Sequence, residues 1–276
     1  MKRVLTALIL IPLVLALVFL GPRWLFTLVT GGVAALAAWE FMGMAERSGA
    51  KPPRIAMLVA VGLLFAGNLQ WPDQSTAIFG ILSLALLVYC TFISPIEQVM
   101  PNVMTSVFCL LYTGLTLEVL PALRETPEGN GPSLVTFLLC AVWAGDIAAL
   151  YVGRALGRHK LAPRLSPNKT WEGTLGSVGG SLLVTGGLLG LAHLLQMWDK
   201  VWLSYPEDAW YWLGLAVVVN IAAQVGDLAE SALKRSVDVK DSGSLLPGHG
   251  GVLDRIDALL LAAPALWYAQ LIHQRF

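Results

Sequence analysis

Apolar runs about as long as a bilayer is thick recur from one end of this sequence to the other. A helix of roughly 20 predominantly apolar residues crosses the hydrocarbon core, and backbone buried there must satisfy its own hydrogen bonds. Candidate helices fall at roughly 4–20, 24–45, 55–71, 75–93, 101–122, 132–157, 173–197, 209–235 and 252–274. The third is marginal, because Asn68 and Gln70 shorten its apolar run. Turn chemistry separates the runs: Lys51-Pro52-Pro53, Trp71-Pro72-Asp73, Ser94-Pro95, and Thr126-Pro127-Glu128-Gly129-Asn130-Gly131-Pro132. The first run, Val4 to Leu20, follows Met1-Lys2-Arg3 and has no small-x-small cleavage site after it, so it reads as a retained span. The expected fold is an all-α polytopic membrane protein of about nine transmembrane helices with a cytosolic N-terminus. Residues 1–131 would be a lipid-facing helical scaffold and residues 132–276 a catalytic region, the two forming one integral domain.

Composition excludes the alternatives. Of 276 residues, 13% are charged and 56% hydrophobic, whereas a soluble domain carries about 25% charged residues. A soluble globule of this size cannot hide so much apolar surface, and disorder demands the opposite balance. Lys and Arg number 18 and so do Asp and Glu, so no global basic field invites nucleic acid. Cys90, Cys109 and Cys140 are isolated in apolar runs without CxxC spacing. They read as small buried hydrophobes, neither a disulfide scaffold nor a zinc site.

Orientation follows from Lys and Arg. With the N-terminus inside, the inner side carries Lys2, Arg3, Arg47, Lys51, Arg54, Arg154, Arg158, Lys160, Arg164, Lys169, Lys234, Arg235, Lys240 and Arg255. The outer side keeps only Arg23, Arg124, Lys200 and Arg275. The positive-inside rule therefore puts the N-terminus in the cytosol. Trp24, Trp71, Trp198, Trp202, Trp210 and Trp212 then fall near the outer interface, as an aromatic belt would.

The first half is nearly featureless, and polarity concentrates from Asp146 onward. Asn220, Gln224, Asp227, Ser231 and Lys234 recur every three or four residues, on one face of one helix. Such a stripe faces a polar cavity or a neighbouring helix. Interhelical hydrogen bonding accounts equally well for Asn220 and Gln224. It suits Asp227 poorly, because a carboxylate inside a span is costly unless paired or metal-bound. Asp254 and Asp257 open the ninth helix, where capping is the plain explanation. The preceding Pro247-Gly248-His249-Gly250-Gly251 turn lets backbone N–H groups approach a ligand at a helix N-terminus, as a phosphate cradle does. Asp227 and Asp254 lie on successive helices, with Lys234, Arg235, Lys240, Asp238 and Asp241 between them. Carboxylates suit Mg²⁺ and cationic side chains suit phosphate oxygens, the combination used on a triphosphate. A second constellation runs from Asp146, inside the sixth span, to Ser166-Pro167-Asn168-Lys169-Thr170-Trp171-Glu172-Gly173. Trp171 offers a ring for stacking; Thr170 competes as a helix N-cap. No nucleophile motif and no glycine-rich nucleotide fingerprint is present.

These residues carry a family resemblance. The stretch Ser231-Ala232-Leu233-Lys234-Arg235, Lys240-Asp241, Gly243, Leu246-Pro247, His249-Gly250-Gly251-Val252 and Asp254-Arg255-Ile256-Asp257 resembles the signature of phosphatidate cytidylyltransferases, with no departure from the pattern. Upstream, Leu161-Ala162-Pro163 and Leu165 to Gly173 are similar too. The resemblance implies that CTP and phosphatidic acid give CDP-diacylglycerol and pyrophosphate, the lipid phosphate attacking the α-phosphorus in line. It implies Mg²⁺ on Asp227 and Asp254, with a second cation such as K⁺. Lys234, Arg235, Lys240 and Arg255 would bind phosphates, and His249 would donate to one. Asp146, Asp241 and Asp257 would support the metal site. Ser166, Asn168, Lys169, Thr170 and Glu172, with Gly248, Gly250 and Gly251, would shape the substrate pocket. It further implies a homodimer in a bacterial-type cytoplasmic membrane, its site facing the cytosol. A CTP-dependent lipid or polyprenol kinase would instead release CDP. A secondary transporter would place its site near the midplane with matching features in both halves.

Overall fold

The computed structural model describes residues 2–126, 130–245 and 250–274, with side chains from residue 10 onward. Leu246, Pro247, Gly248 and His249 lie outside the described residues, as do Pro127, Glu128, Gly129 and Arg275. The described chain is almost entirely helical: α1 Lys2–Leu20, α2 Arg23–Arg47, α3 Arg54–Gln70, α4 Ser75–Ile93, α5 Ile96–Cys109, α6 Thr116–Arg124, α7 Gly131–Leu156, α8 Trp171–Met197, α9 Ala209–Ser236 and α10 Leu253–His273. A π-helical turn, Leu110–Leu115, joins α5 to α6, so that Ile96–Arg124 runs on as one apolar element. Seven helical segments are long and apolar enough to cross a membrane, and Leu10–Leu20 and Arg54–Gln70 are shorter apolar helices. This is the all-helical membrane fold that the apolar runs predict. The breaks also fall where proline puts them: Pro22, Pro53 and Pro95 each stand immediately before a helix. Two expectations need correcting. The fifth helix begins at Ile96 rather than near residue 101. The segment read as a cytosolic loop contains an antiparallel hairpin, β1 Lys160–Ala162 and β2 Ser166–Thr170, pairing Lys160 with Thr170 and Ala162 with Ser166.

The chain forms two compact units. The first comprises residues 1–122 and 233–256. Its core is built from Ala34, Ala37, Ala38 and Phe41 of α2 with Met57, Val61 and Leu64 of α3. Phe41, Phe108 and Tyr112 form an aromatic cluster with ring centroids 5.5–6.0 Å apart.

The second unit comprises residues 123–232 and 257–276. Here α7 and α8 approach closely because small residues face each other. A Cβ on Gly180 would meet Ala144 O at 2.7 Å, and one on Gly176 would meet the Val152 side chain at 2.6 Å. Buried Trp212 of α9 packs edge-on against Phe137 and Tyr205, at 5.3 and 4.9 Å. Large apolar side chains such as Phe92 and Leu183 remain about four-fifths exposed, at 81% and 80%, as a lipid-facing surface requires.

Candidate functional site

In the first unit, the end of α9 and the start of α10 bracket a charged loop. Lys234 Nζ lies 2.7 Å from Asp254 Oδ1, with side-chain exposures of only 12% and 6%. The other oxygen, Oδ2, accepts the backbone N–H groups of Ser242 at 3.0 Å and Gly251 at 2.8 Å. Three donors on one carboxylate satisfy both of its oxygens. Gly250 has φ +78°, the left-handed backbone that glycine adopts freely, and a Cβ there would also meet Asp254 Oδ2 at 2.7 Å. Arg235 donates through Nη1 to Val239 O at 3.0 Å, closing the turn after α9. Lys240, Asp241 and Arg255 are exposed.

Asp241 and Ser242 also line a cavity of about 450 Å³ with Trp39, Arg47, Arg54 and Leu245. Arg54 stacks over Trp39 at 4.3 Å and pairs with Glu46 at 2.6 Å. Sequence reading treated Arg47 and Arg54 only as topology determinants. It passed over Glu40 altogether. That buried side chain of α2 accepts from Val252 N at 3.0 Å, Leu253 N at 2.8 Å and Ser242 Oγ at 3.2 Å. A lone carboxylate in the apolar run Ala34-Ala35-Leu36-Ala37-Ala38-Trp39-Glu40-Phe41-Met42 was the signal available.

In the second unit, Lys169 Nζ lies 2.6 Å from Asp227 Oδ2, and Ser231 Oγ donates to Asp227 Oδ1 at 3.5 Å. Asp146 lies within electrostatic reach of both Asp227 and Lys169. The hairpin delivers Lys169 here, and Thr170 at its end caps α8, accepting the Gly173 N–H at 3.1 Å. Thr170 is buried in that role. Glu172 accepts the N–H groups of Arg158 and His159 at 3.1 and 3.2 Å, and its Oε1 lies 2.6 Å from His159 Nδ1. It therefore ties the entry of the hairpin to its exit. Ser166 is half-buried and Asn168 and Trp171 are exposed. Asp257, in the second turn of α10, accepts the N–H of the next residue, Ala258, at 2.7 Å. Gly226 lets α9 pass close to it: a Cβ there would meet Asp257 O at 2.7 Å.

The upper part of the polar stripe is packing. Asn220 Nδ2 donates to Ser177 Oγ at 2.9 Å and Ser181 Oγ at 2.7 Å, and Gln224 Nε2 donates to Asn220 Oδ1 at 2.6 Å. Ser181 Oγ in turn donates to Ala141 O at 2.6 Å, completing a bridge from α9 through α8 to α7. Gly248 and His249 lie outside the described residues.

Comparison with known proteins gives the family. A family model described as "Cytidylyltransferase family" matches residues 1–273. A Pseudomonas aeruginosa protein named phosphatidate cytidylyltransferase is 36% identical over 284 residues, 97% of each chain. A Bacillus subtilis protein of the same name is 30% identical over 279 residues, 97% of this chain and 96% of its own. The Brucella melitensis protein of that name is 48% identical over 158 residues, and there the match spans 57% of this chain and 54% of the relative's length.

Proposed function

The chain belongs to the cytidylyltransferase family, and from that premise we propose that it transfers CMP from CTP to phosphatidic acid, giving CDP-diacylglycerol and pyrophosphate. A phosphate oxygen of phosphatidic acid forms the new bond to the α-phosphorus of CTP. The bond from that phosphorus to the β-phosphate oxygen breaks, and pyrophosphate leaves with the electron pair. The lipid supplies the nucleophile, so the protein needs none of its own. Its task is to bring two anions together and hold them in line.

The observation that carries the reading is the loop between Lys234 and Asp254, where two backbone amides and a lysine converge on one carboxylate. Lys234, Arg235, Lys240 and Arg255 are the proposed phosphate-binding cations. Lys169, beside Asp227, is a proposed substrate-binding residue. Mg²⁺ is the proposed cofactor, with Asp227 and Asp254 as its ligands. Its fit rests on donor chemistry: Asp146, Asp227, Asp241 and Asp254 offer oxygen only. Among the described residues no three His, Cys, Asp or Glu side chains form a metal-holding group. A Mg²⁺ that keeps waters and takes phosphate oxygens does not require one. When bound, it would neutralise charge on the phosphates. A second cation such as K⁺, a homodimer, and a site on the cytosolic face of a bacterial inner membrane belong to the same proposal, the last supported by bacterial relatives.

Product analysis tests it. Purified protein in detergent receives radiolabelled CTP, phosphatidic acid and Mg²⁺, with EDTA and Asp254→Asn as controls. Label entering the lipid as CMP, with release of pyrophosphate, is the expected result. Release of CDP with phosphate on the lipid would replace transfer by a kinase activity. No lipid-dependent turnover in folded protein would remove the proposal.

A further inference from the structure

Glu40 plays no part in the reaction as written above, yet its side chain is committed to the signature segment. It is 4% exposed, in an otherwise apolar stretch of α2. Its Oε1 accepts the Val252 N–H, and its Oε2 accepts the Leu253 N–H and the Ser242 hydroxyl. These donors lie 202 to 213 residues further along the chain. Val252 and Leu253 stand at the start of α10, so the carboxylate neutralises orphan amides at the positive end of that helix.

Ser242 connects Glu40 to the reaction chemistry. Its N–H goes to Asp254 Oδ2 at 3.0 Å while its hydroxyl goes to Glu40 Oε2 at 3.2 Å. Gly251 and Val252, neighbours in sequence, divide the same way: the first amide serves Asp254 and the second serves Glu40. Two carboxylates thus grip one loop from two sides. Two glycines follow from the grip. A Cβ at Gly243 would run into the Glu40 carboxylate and its Cγ, and a Cβ at Gly251 would run into the Glu40 carboxylate and the Ser242 hydroxyl. Neither glycine has a positive φ; what they provide is room for Glu40.

We propose that Glu40 is a positioning residue for CMP transfer: it fixes the loop of Ser242 and Gly251 to Leu253, and through that loop sets the place of Asp254 and of its partner Lys234. As a statement about rate this rests on the proposed function; as a statement about the loop it does not. Glu118 provides an internal control. It is equally buried in the same unit and accepts from Asn68 Nδ2 and, at 2.5 Å, from Ser75 Oγ, both outside the signature segment.

The experiment compares full-length wild type, Glu40→Gln and Glu118→Gln in detergent by CMP-transfer kinetics, thermal melting and amide hydrogen exchange. Glu40→Gln is expected to lower kcat by about 10²-fold, the scale of an ångström-sized misplacement. It should also raise exchange at Ser242, Gly251, Val252 and Leu253. Glu118→Gln should leave kcat and those four amides unchanged, whatever it does to the melting temperature. Gly243→Ala should impair the wild type but add no further loss in Glu40→Ala, which removes the colliding atoms. If Glu40→Ala does not fold, Glu40→Gln carries the test. Wild-type kcat in Glu40→Gln, or equal losses of kcat in Glu40→Gln and Glu118→Gln, would overturn the proposal. A wild type that transfers no CMP would overturn the proposed function instead. The exchange pattern of Glu40→Gln would then decide the clamp alone, unchanged protection at the four amides refuting it.

Discussion

Lys169 at the end of β2 and Asp227 within α9 are ion-paired at 2.6 Å, so the hairpin and the polar helix face meet through one lysine. With side-chain exposures of 25% and 34%, such a pair adds only about 0–1 kcal/mol to stability. Lys169→Ala should therefore melt like the wild type. CMP transfer should fall by about 10²-fold if the ammonium serves a phosphate oxygen in the transition state. Asp227→Asn should lose turnover altogether while still folding. Initial rates set beside a thermal melt check both, and substantial turnover in Asp227→Asn would remove that residue from the proposed metal site.

The pair of Lys234 and Asp254 should behave differently, because it is buried. Removing one member of a buried ion pair costs about 3–5 kcal/mol. Asp254→Asn is expected to be both inactive and markedly less stable. Lys234→Met combined with Asp254→Asn should recover much of the stability and none of the turnover. Melting curves of the single and double variants separate the two effects. A single variant as stable as the wild type would mean that the pair has no structural weight.

Asn220 is expected to matter for stability alone. Its amide bridges to Ser177 and Ser181, and interhelical hydrogen bonds of this kind contribute about 0.6–2 kcal/mol. Asn220→Leu should lower the melting temperature without changing kcat, as read by melts and rates on the same preparation. A selective loss of kcat would bring Asn220 into the reaction.

Orientation can be read by labelling. A single cysteine replacing Arg164 should be shielded from a membrane-impermeant maleimide in intact spheroplasts, and one replacing Lys200 should react. The reverse pattern would invert the topology derived from the Lys and Arg distribution.

The helices were legible because their signals are local. An apolar run and a proline at its edge occupy consecutive positions, and Pro22, Pro53 and Pro95 stop or start helices without regard to the rest of the chain. The start of α5 was obscured because Glu97 and Gln98 interrupt its apolar pattern and Pro101, which reads as a helix start, stands inside the helix. The hairpin at Lys160–Thr170 was unreadable because its strands are three and five residues long and carry no alternation. At the candidate site, residue type pointed to Lys234, Asp254, Lys169 and Asp227, and the structure pairs them lysine to aspartate within each unit. Which lysine meets which carboxylate was not readable, since charge carries no partner label. Thr170 had two readings, and its geometry is that of a cap. Glu40 stands out in the sequence only as a lone carboxylate in an apolar run; its donors lie in the last quarter of the chain, and no local pattern reports so distant a partner.

That distance has a consequence for how the chain is made. Synthesis proceeds at about 5–20 residues per second, so the 202 to 213 residues separating Glu40 from its donors take roughly 10–40 s to appear. Throughout that interval α2 has been translated and the groups that will occupy its carboxylate have not. Until they appear, Glu40 is without the three donors that hold it in the finished fold. The signature loop, arriving late, finds its anchor already waiting in the membrane.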